Sequence, residues 1–449
     1  MEATPQSLAS RRSRRSFTEV ASDDPIDPKS ARRRRHSIAL GPVLIARLVR
    51  EHRALELKEI ISPRGLPSYQ RRLFVDRKRS SITLKTPRET QRCELSIIRS
   101  ASVNPTLTDL EHRIQPIISD VLEGFRANVG PIPVDDGTGG VYFLRTKAQR
   151  ITAVFKPADE EPFAMNNPKH HRANSASVDV EGIRRGIPPG GAAIREVAAY
   201  LLDHGHAAGV PPTMLVSASH HVFYRRKGSS TGVETKVGSM QLYVPHDCTA
   251  DDVSERLLSI EQVHAMAVLD IRLANQDRHG GNVLVVSKST PADARSYHLI
   301  PIDHGACLPL IRAMEETSFL WLEWPQSKTH FSASILERIA SLEATKDVQM
   351  LAESLPTTHQ LAPEALLTLV ICTTLLQECA LRYEMTAFDI GTLMYRASEG
   401  DESVLERLVR ETIDPSVMIP SPTSEEWETF IRMVQSRFRD ALADHMAFC

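Results

Sequence analysis

Two short polar motifs separated by a predicted hairpin constrain this chain more than any other feature. Asp277–Asn282 (DRHGGN) leads into an apolar run over Asn282–Ser287. A polar turn over 288–296 follows, and His298–Ile302 returns to Asp303–Gly305 (DHG). Two strands joined by a short turn pair antiparallel, so the first residue of the ribbon lies beside the last. Asn282 opens the ribbon and Asp303 closes it. Two oxygen ligands thus meet at one end, an arrangement that suits a divalent cation bridging phosphates. Gly305 lets the backbone turn away at once. Asp277 offers a carboxylate to orient an attacking hydroxyl, and Arg278 and His279 can offset charge on a transferred phosphoryl group. The plain alternative is a pair of loop aspartates with ordinary turn duties, and the hairpin between them argues against it.

The preceding segments supply candidates for a nucleotide. Gly137, Thr138, Gly139 and Gly140 (GTGG) stand before a strand predicted at Val141–Leu144. Glycines there let backbone N–H groups approach phosphate. The motif lacks full GxGxxG spacing, and a simple hairpin turn has the same composition. Lys156 ends the next predicted strand, Ile151–Phe155, from where its ammonium can reach phosphates. Glu196 lies on a predicted helix, Ala192–Leu202, whose Val197, Tyr200 and Leu201 turn toward the sheet. An ion pair with Lys156 would hold the lysine in place. The plain readings are an edge-strand lysine and a surface glutamate.

Around these pieces the pattern is strands first and helices after, an α+β arrangement. Leu107–Ala127 predicts a helix capped by Thr108, with Leu110, Ile114, Ile117, Ile118, Val121 and Phe125 as its apolar stripe. Further strands are predicted at Met214–Val216, His221–Arg225 and Ser239–Val244. The polar stretch 157–191 reads as a long excursion. Pro363–Leu381 and Glu402–Thr412 carry core-type helical stripes. The histidine pairs His170–His171 and His220–His221 lack further ligands at metal spacing and read as loop residues.

The first hundred residues differ from the rest. They hold about two Lys/Arg for every Asp/Glu, including RRSRRS at 11–16 and RRRRHS at 32–37, while the remainder is net acidic. A chain this polar buries too little apolar surface to offset its ordering entropy. A disordered basic region over 1–104 is expected, with a helix at Ile38–Ile61. Its readings are an arm for anionic lipid or nucleic acid, a set of basophilic phosphorylation sites (Ser16, Ser37), or a solvated tail. None of the six cysteines forms a CxxC pair, so neither a zinc site nor a disulfide frame is expected. No apolar run reaches the length of a spanning helix, and no secretory segment follows Met1. The expected location is cytoplasmic, with peripheral membrane contact.

Taken together, GTGGVYFL (137–144), AVFKPADEEPFAMNNP (153–168), REVAAYLLD (195–203), GSMQLYV (238–244), NQDRHGGNVLV (275–285), PIDHGACLP (301–309) and FLWLEWPQ (319–326) resemble the phosphatidylinositol 3-/4-kinase family. The likeness is greatest to its type II and plant-type gamma 4-kinases. The resemblance implies a two-lobed protein-kinase-like fold over 105–449, with a small lobe at about 105–243 and a large lobe at about 244–449. It implies ATP and Mg²⁺ or Mn²⁺, and transfer of the γ-phosphate to the inositol 4-hydroxyl of phosphatidylinositol. By position it implies that Lys156 contacts phosphates and that Gln241, Leu242, Tyr243 and Val244 hold adenine. Asp277 would orient or deprotonate the hydroxyl, and Asn282 and Asp303 would hold metal. Glu161, Pro162 and Phe163 would border the lipid site, and Asp303–Gln326 would be the activation segment. No cysteine stands in 157–191, where type II enzymes carry a cysteine-rich stretch. Membrane delivery must then differ from theirs, and the basic arm is one candidate for it.

The segment 303–326 bears on the substrate. Arg312 is its only Lys/Arg, against Glu315, Glu316 and Glu323. Each phosphate on an inositol ring asks for a cation, so an unphosphorylated ring, or an acceptor that is no polyphosphoinositide, is expected. Phe319, Leu320, Trp321 and Trp324 either touch lipid or pack the core. A protein Ser/Thr kinase on the same fold and a catalytically silent scaffold are the other readings. Ordinary protein kinases place HRD where this chain has DRH, and a silent fold need not keep Lys156, Asp277, Asn282 and Asp303 together. No nucleic-acid partner is expected, and the sequence leaves the oligomeric state open.

Overall fold

Short strands with apolar residues on one or both faces build the first half of the domain. The computed structural model describes residues 93–100, 105–169, 182, 184–226, 233–289, 295–315, 317–396, 398 and 400–448. The basic arm, the helix expected at 38–61 and His170–His171 lie outside them. Strands β1 (Glu94–Ile97), β2 (Ile132–Pro133), β3 (Tyr142–Arg145), β4 (Ile151–Pro157), β5 (Thr213–Ser219) and β6 (Thr235–Leu242) form one sheet in the order β1-β5-β6-β4-β3-β2. Every pairing in it is antiparallel. Helix α1 (Pro105–Arg126) packs on β1, β3 and β4, and α2 (Ala192–Leu202) on β5 and β6. On α1, Leu110, Ile114, Ile118, Val121 and Phe125 are all buried. Each such side chain stabilises the fold by about 1.5–3 kcal/mol relative to exposure.

Three features here differ from expectation. The sheet begins at β1, inside the segment read as linker, because four residues flanked by basic ones give little periodic signal. The first helix starts at Pro105, so Thr108 lies in its first turn rather than at its cap. His221–Arg225 is a turn and not a strand. The His220 ring accepts from the Val222 amide at 3.1 Å, and the Phe223 amide donates to His220 O at 3.1 Å, which folds the chain back. Phe223 thereby reaches Tyr142 and Phe155, with ring centroids 4.9 and 5.3 Å away.

The second half is mostly helical. Strands β7 (Cys248–Thr249), β8 (Val283–Ser289) and β9 (Arg295–Pro301) make a small antiparallel sheet. Helix α3 (Ile260–Leu273) packs against α6 (Pro363–Gln377), with α4 (Ala333–Ala340), α5 (Ala344–Ser354), α7 (Ala387–Leu393), α8 (Val404–Thr412) and α9 (Trp427–Phe448) around them. Residues Ala365–Leu376 of α6 are buried without a break. A helix apolar on all sides belongs to a core or a bilayer. Pro363–Arg382 has the length and composition to span a membrane, yet 78% of its apolar window is buried inside the protein. The architecture is the α+β, two-part arrangement expected of a kinase-like fold.

Candidate active site

The hairpin fixes the centre of the site. Val283 pairs with Pro301, and the Ile302 amide donates to Asn282 O at 3.0 Å, so Asn282 and Asp303 flank the end of the ribbon. The turn away from it differs from expectation. The left-handed residue is Asp303 itself, at φ 58°. Gly305 matters for closeness instead, because a Cβ there would lie 2.9 Å from Ala192 Cβ.

Helix α3 delivers the loop before the hairpin. It ends in a left-handed cap at Ala274, φ 45°, and the chain then bends back on Asp270. Asp270 is wholly buried and accepts from Asn275 Nδ2 at 2.9 Å, from Arg278 Nε at 3.0 Å and from Trp321 Nε1 at 3.1 Å. Arg278 is equally buried. Its guanidinium also donates to Asn282 O at 2.7 Å and Ile302 O at 2.8 Å, and meets His304 Nε2 at 2.8 Å. One buried ion pair thus ties both polar motifs together. Arg278 was expected to face a phosphoryl group, and burial corrects that. Its donors are committed to Asp270 and the loop carbonyls. Asp277 and the exposed His279 project from the loop toward solvent. Burial, with Arg278 and Lys156 nearby, holds the His304 imidazole well below its usual pKa, so it stays neutral.

Lys156 on β4 lies between two carboxylates. Its ammonium donates to Glu196 Oε1 on α2 at 2.5 Å and to Asp303 Oδ1 at 3.0 Å. Burial works against this cation, but Asp303 and Glu196 outweigh it and raise its pKa. The Lys156 charge in turn holds the Asp303 carboxyl below its usual range. Both groups are therefore charged at neutral pH, the state that phosphate and metal require. Glu196 Oε2 also accepts the His304 amide at 3.0 Å, which joins α2 to the second motif.

The glycine loop is held from behind. Asn167 Nδ2 donates to Thr138 O at 2.8 Å, and Lys169 Nζ donates to Val134 O at 3.2 Å, Gly137 O at 3.1 Å and Asp136 O. Gly140 is not open to phosphate as expected. Its amide donates to Glu160 O at 2.9 Å, and a Cβ there would meet Glu160 Oε2 at 2.0 Å. Gly137, at φ +77° with nothing near its Cβ position, is the open glycine. The adenine-binding expectation narrows in the same way. Gln241 and Leu242 belong to β6, and the Tyr243 amide is committed to Thr152 O at 3.0 Å. The Val244 amide makes no hydrogen bond among the described residues.

The candidate acceptor side differs from expectation at Glu161. Glu161 was expected to border a lipid, but it is buried and accepts the Ala192 and Ala193 amides at 3.0 and 2.9 Å, capping α2. Burial pushes its carboxyl up to about 7 against those donors. Pro162 and Phe163 beside it are half-buried, Phe163 at φ 64°. Phe319, Trp321 and Trp324 are core residues, with the Phe319 and Trp321 rings stacked at 4.7 Å. The Arg184 guanidinium, from the segment before α2, reaches Asp277 Oδ1 at 2.5 Å.

The donor set fits a cation that arrives with phosphate. No cluster of three or more His, Cys, Asp or Glu suited to a metal exists among the described residues. Asn282 spends its Nδ2 on Asp277 O at 2.9 Å, which aligns its carbonyl oxygen as an acceptor. Two protein oxygens, from Asn282 and Asp303, match Mg²⁺, which takes one or two carboxylate-type ligands and completes its shell with phosphate and water.

Residues 137–390 match the family described as phosphatidylinositol 3- and 4-kinase. The chain belongs to this family. Phosphatidylinositol 4-kinase gamma 3 of Arabidopsis thaliana is 39% identical over 338 residues, 72% of this chain and 56% of that protein. Phosphatidylinositol 4-kinase gamma 6 of the same plant is 38% identical over 324 residues, 68% and 51% of the two chains. Phosphatidylinositol 4-kinase gamma 4 of Oryza sativa subsp. japonica is 35% identical over 394 residues, 82% and 65%. The chain thus spans between about half and two thirds of the length of these relatives. Within this kinase-family site, Asp270, His304, Asn167, Lys169 and Arg184 escaped the sequence reading. Asp270 sits in an apolar helix, His304 and Asn167 stand in motifs that give them no role of their own, and Lys169 and Arg184 lie in a stretch that reads only as a loop.

Proposed function

We propose that the chain transfers the γ-phosphate of ATP to the inositol 4-hydroxyl of phosphatidylinositol, giving phosphatidylinositol 4-phosphate. The observation that carries this reading is the Glu196–Lys156–Asp303 arrangement beside the Asp277–Asn282 loop, in a chain of this family. The lobes would divide at about 243/244, with the Val244 peptide offering its amide to adenine. Gly137–Gly139 would cover the phosphates, and Lys156 would pair with them. Asn282 and Asp303 would hold Mg²⁺ or Mn²⁺, whose charge offsets that of the phosphates. Asp277 would accept a hydrogen bond from the attacking hydroxyl and take its proton. His279 is exposed next to it and adds a second donor toward the transferring group. Arg312 is committed elsewhere, to Glu364 Oε1 at 3.0 Å. The activation segment therefore presents no spare cation for extra ring phosphates, in keeping with an unphosphorylated inositol.

The test is transfer from radiolabelled ATP to phosphatidylinositol vesicles and, separately, to a basic protein. The wild-type chain should label the lipid. Asp277→Ala should lower the rate by at least about 10²-fold. Labelling of protein alone would assign a protein kinase instead, and labelling of neither, with ATP still bound, a silent scaffold.

A further inference from the structure

The cation that meets Asp277 comes from outside every motif in the family signature. Arg184 and Asp277 are both partly open to solvent, with side chains 45% and 33% exposed. An exposed ion pair is held weakly, so an arriving anion can take the guanidinium. The backbone beside Arg184 is nevertheless fixed. The Leu310 amide donates to Gly186 O at 2.9 Å, and Gly186 adopts φ +76° against the segment. A Cβ on Gly186 would meet Pro309 Cβ and Ala313 O at 3.0 Å. Arg185 lies 3.6 Å from Glu315. The segment bearing Arg184 is thus seated on residues 309–315, and the Arg184 side chain remains to swing.

Among the described residues, the other Lys and Arg side chains near the two motifs are committed. Lys156 is bound by Glu196 and Asp303, on the nucleotide side. Arg278 is buried with Asp270. Arg312 donates to Glu364 and to the Asp414 and Val417 carbonyls. We propose that Arg184 binds the phosphodiester of the acceptor lipid while the inositol hydroxyl meets Asp277. An acceptor hydroxyl that approaches Asp277 Oδ1 competes with Arg184 for that oxygen, and the same molecule carries a phosphate one ring away. A guanidinium fork matches two phosphate oxygens at once. One such fork suits a headgroup with one phosphate. The exchange also frees Asp277 Oδ1 when a headgroup is present.

This inference rests on phosphatidylinositol being the acceptor. Its test uses the full chain and its Arg184→Gln and Arg184→Lys variants. Transfer from ATP to phosphatidylinositol in phosphatidylcholine vesicles is measured with the KM for lipid and the KM for ATP determined separately. Water-soluble glycerophosphoinositol serves as a competitor. Arg184→Gln should raise the lipid KM about tenfold, weaken the competitor by a similar factor and move the ATP KM less than twofold. Arg184→Lys should recover part of the loss, because it keeps the charge and loses the fork. An unchanged lipid KM in an active variant overturns the role of Arg184 alone. So does a rise confined to the ATP KM, or a faster turnover with neither KM changed, which would make Arg184 only a brake on Asp277. A wild-type chain that labels protein and no phosphatidylinositol overturns the acceptor reading and this inference together.

Discussion

The loop at 275–282 and the glycine loop at 136–140 are both backbone turns in the same site, yet they are held by opposite means. The first is gripped from inside by Asp270 and Arg278, neither with any side-chain exposure. The second is tethered from behind by the buried Asn167, which donates to Thr138 O, and by Lys169, whose ammonium binds main-chain carbonyls that are partly open to solvent. A buried charge pair is costly to desolvate and stays only when every donor is satisfied, so it fixes one geometry. Tethers to carbonyls near solvent are individually weak, because water replaces them at little cost. The structure therefore joins a rigid loop that bears Asp277 to a compliant loop that can adjust over phosphates.

The largest expected effect breaks the rigid side. Asp270→Asn leaves the Arg278 charge buried without its partner, and breaking such a pair costs about 3–5 kcal/mol. Urea unfolding of the variant should show that loss. A loss below about 1 kcal/mol would mean that the hairpin, not the ion pair, holds the loop.

Acid should find the same weakness. His304 faces Arg278 and is neutral when folded, with a pKa depressed below 6.5 by burial and by Arg278 and Lys156. The unfolded chain then binds more protons than the folded one below pH 6.5. The His304 contribution is full above that pH and is lost as pH falls toward the folded value. Its slope reaches about 1.4 kcal/mol per pH unit. His220, pushed down to about 4 by burial and by His221, adds a second such contribution between pH 6.5 and 4. His304→Asn, which still offers Arg278 an acceptor, should flatten the stability curve below pH 6.5 by the first amount. An unaltered acid limb would show that the folded protein carries His304 charged.

The same contrast explains what could be read from the residues. The hairpin was legible because two apolar runs flank a polar turn, and its ends place Asn282 beside Asp303. The α1 stripe was legible at period 3.6. The approach of Glu196 to Lys156 followed from a helix laid on a sheet. Asp270 was not legible. In IEQVHAMAVLDIRL it is one acid in a helix buried on nearly every side, and periodicity does not say that its carboxylate turns toward a loop. Arg278 looked like a phosphate ligand because motif residues are expected to face substrate, whereas here one of them builds the wall. Trp321 is ambiguous in the sequence for the same reason, and its indole N–H in fact donates to Asp270. Glu161 stands in a polar run that hides its role as the cap of α2, a helix whose Gly191 start has no side chain to cap with.

The smallest effect sharpens the compliant side. Lys169 Nζ gathers the Val134, Asp136 and Gly137 carbonyls, and Lys169→Met keeps the stem while deleting the donor. Those carbonyls lie near solvent, so water takes the place of the ammonium and stability should fall by less than about 1 kcal/mol. The loop, however, loses the contact that gathers residues 134–137 in front of the open Gly137. The KM for ATP should rise several-fold, with kcat within about twofold, because the Asp277 loop is held independently. A kcat loss matching that of Asp277→Ala would show that the two loops are one rigid unit. An unchanged KM would show that Asn167, bonded to Thr138 O, suffices to hold the glycine loop by itself.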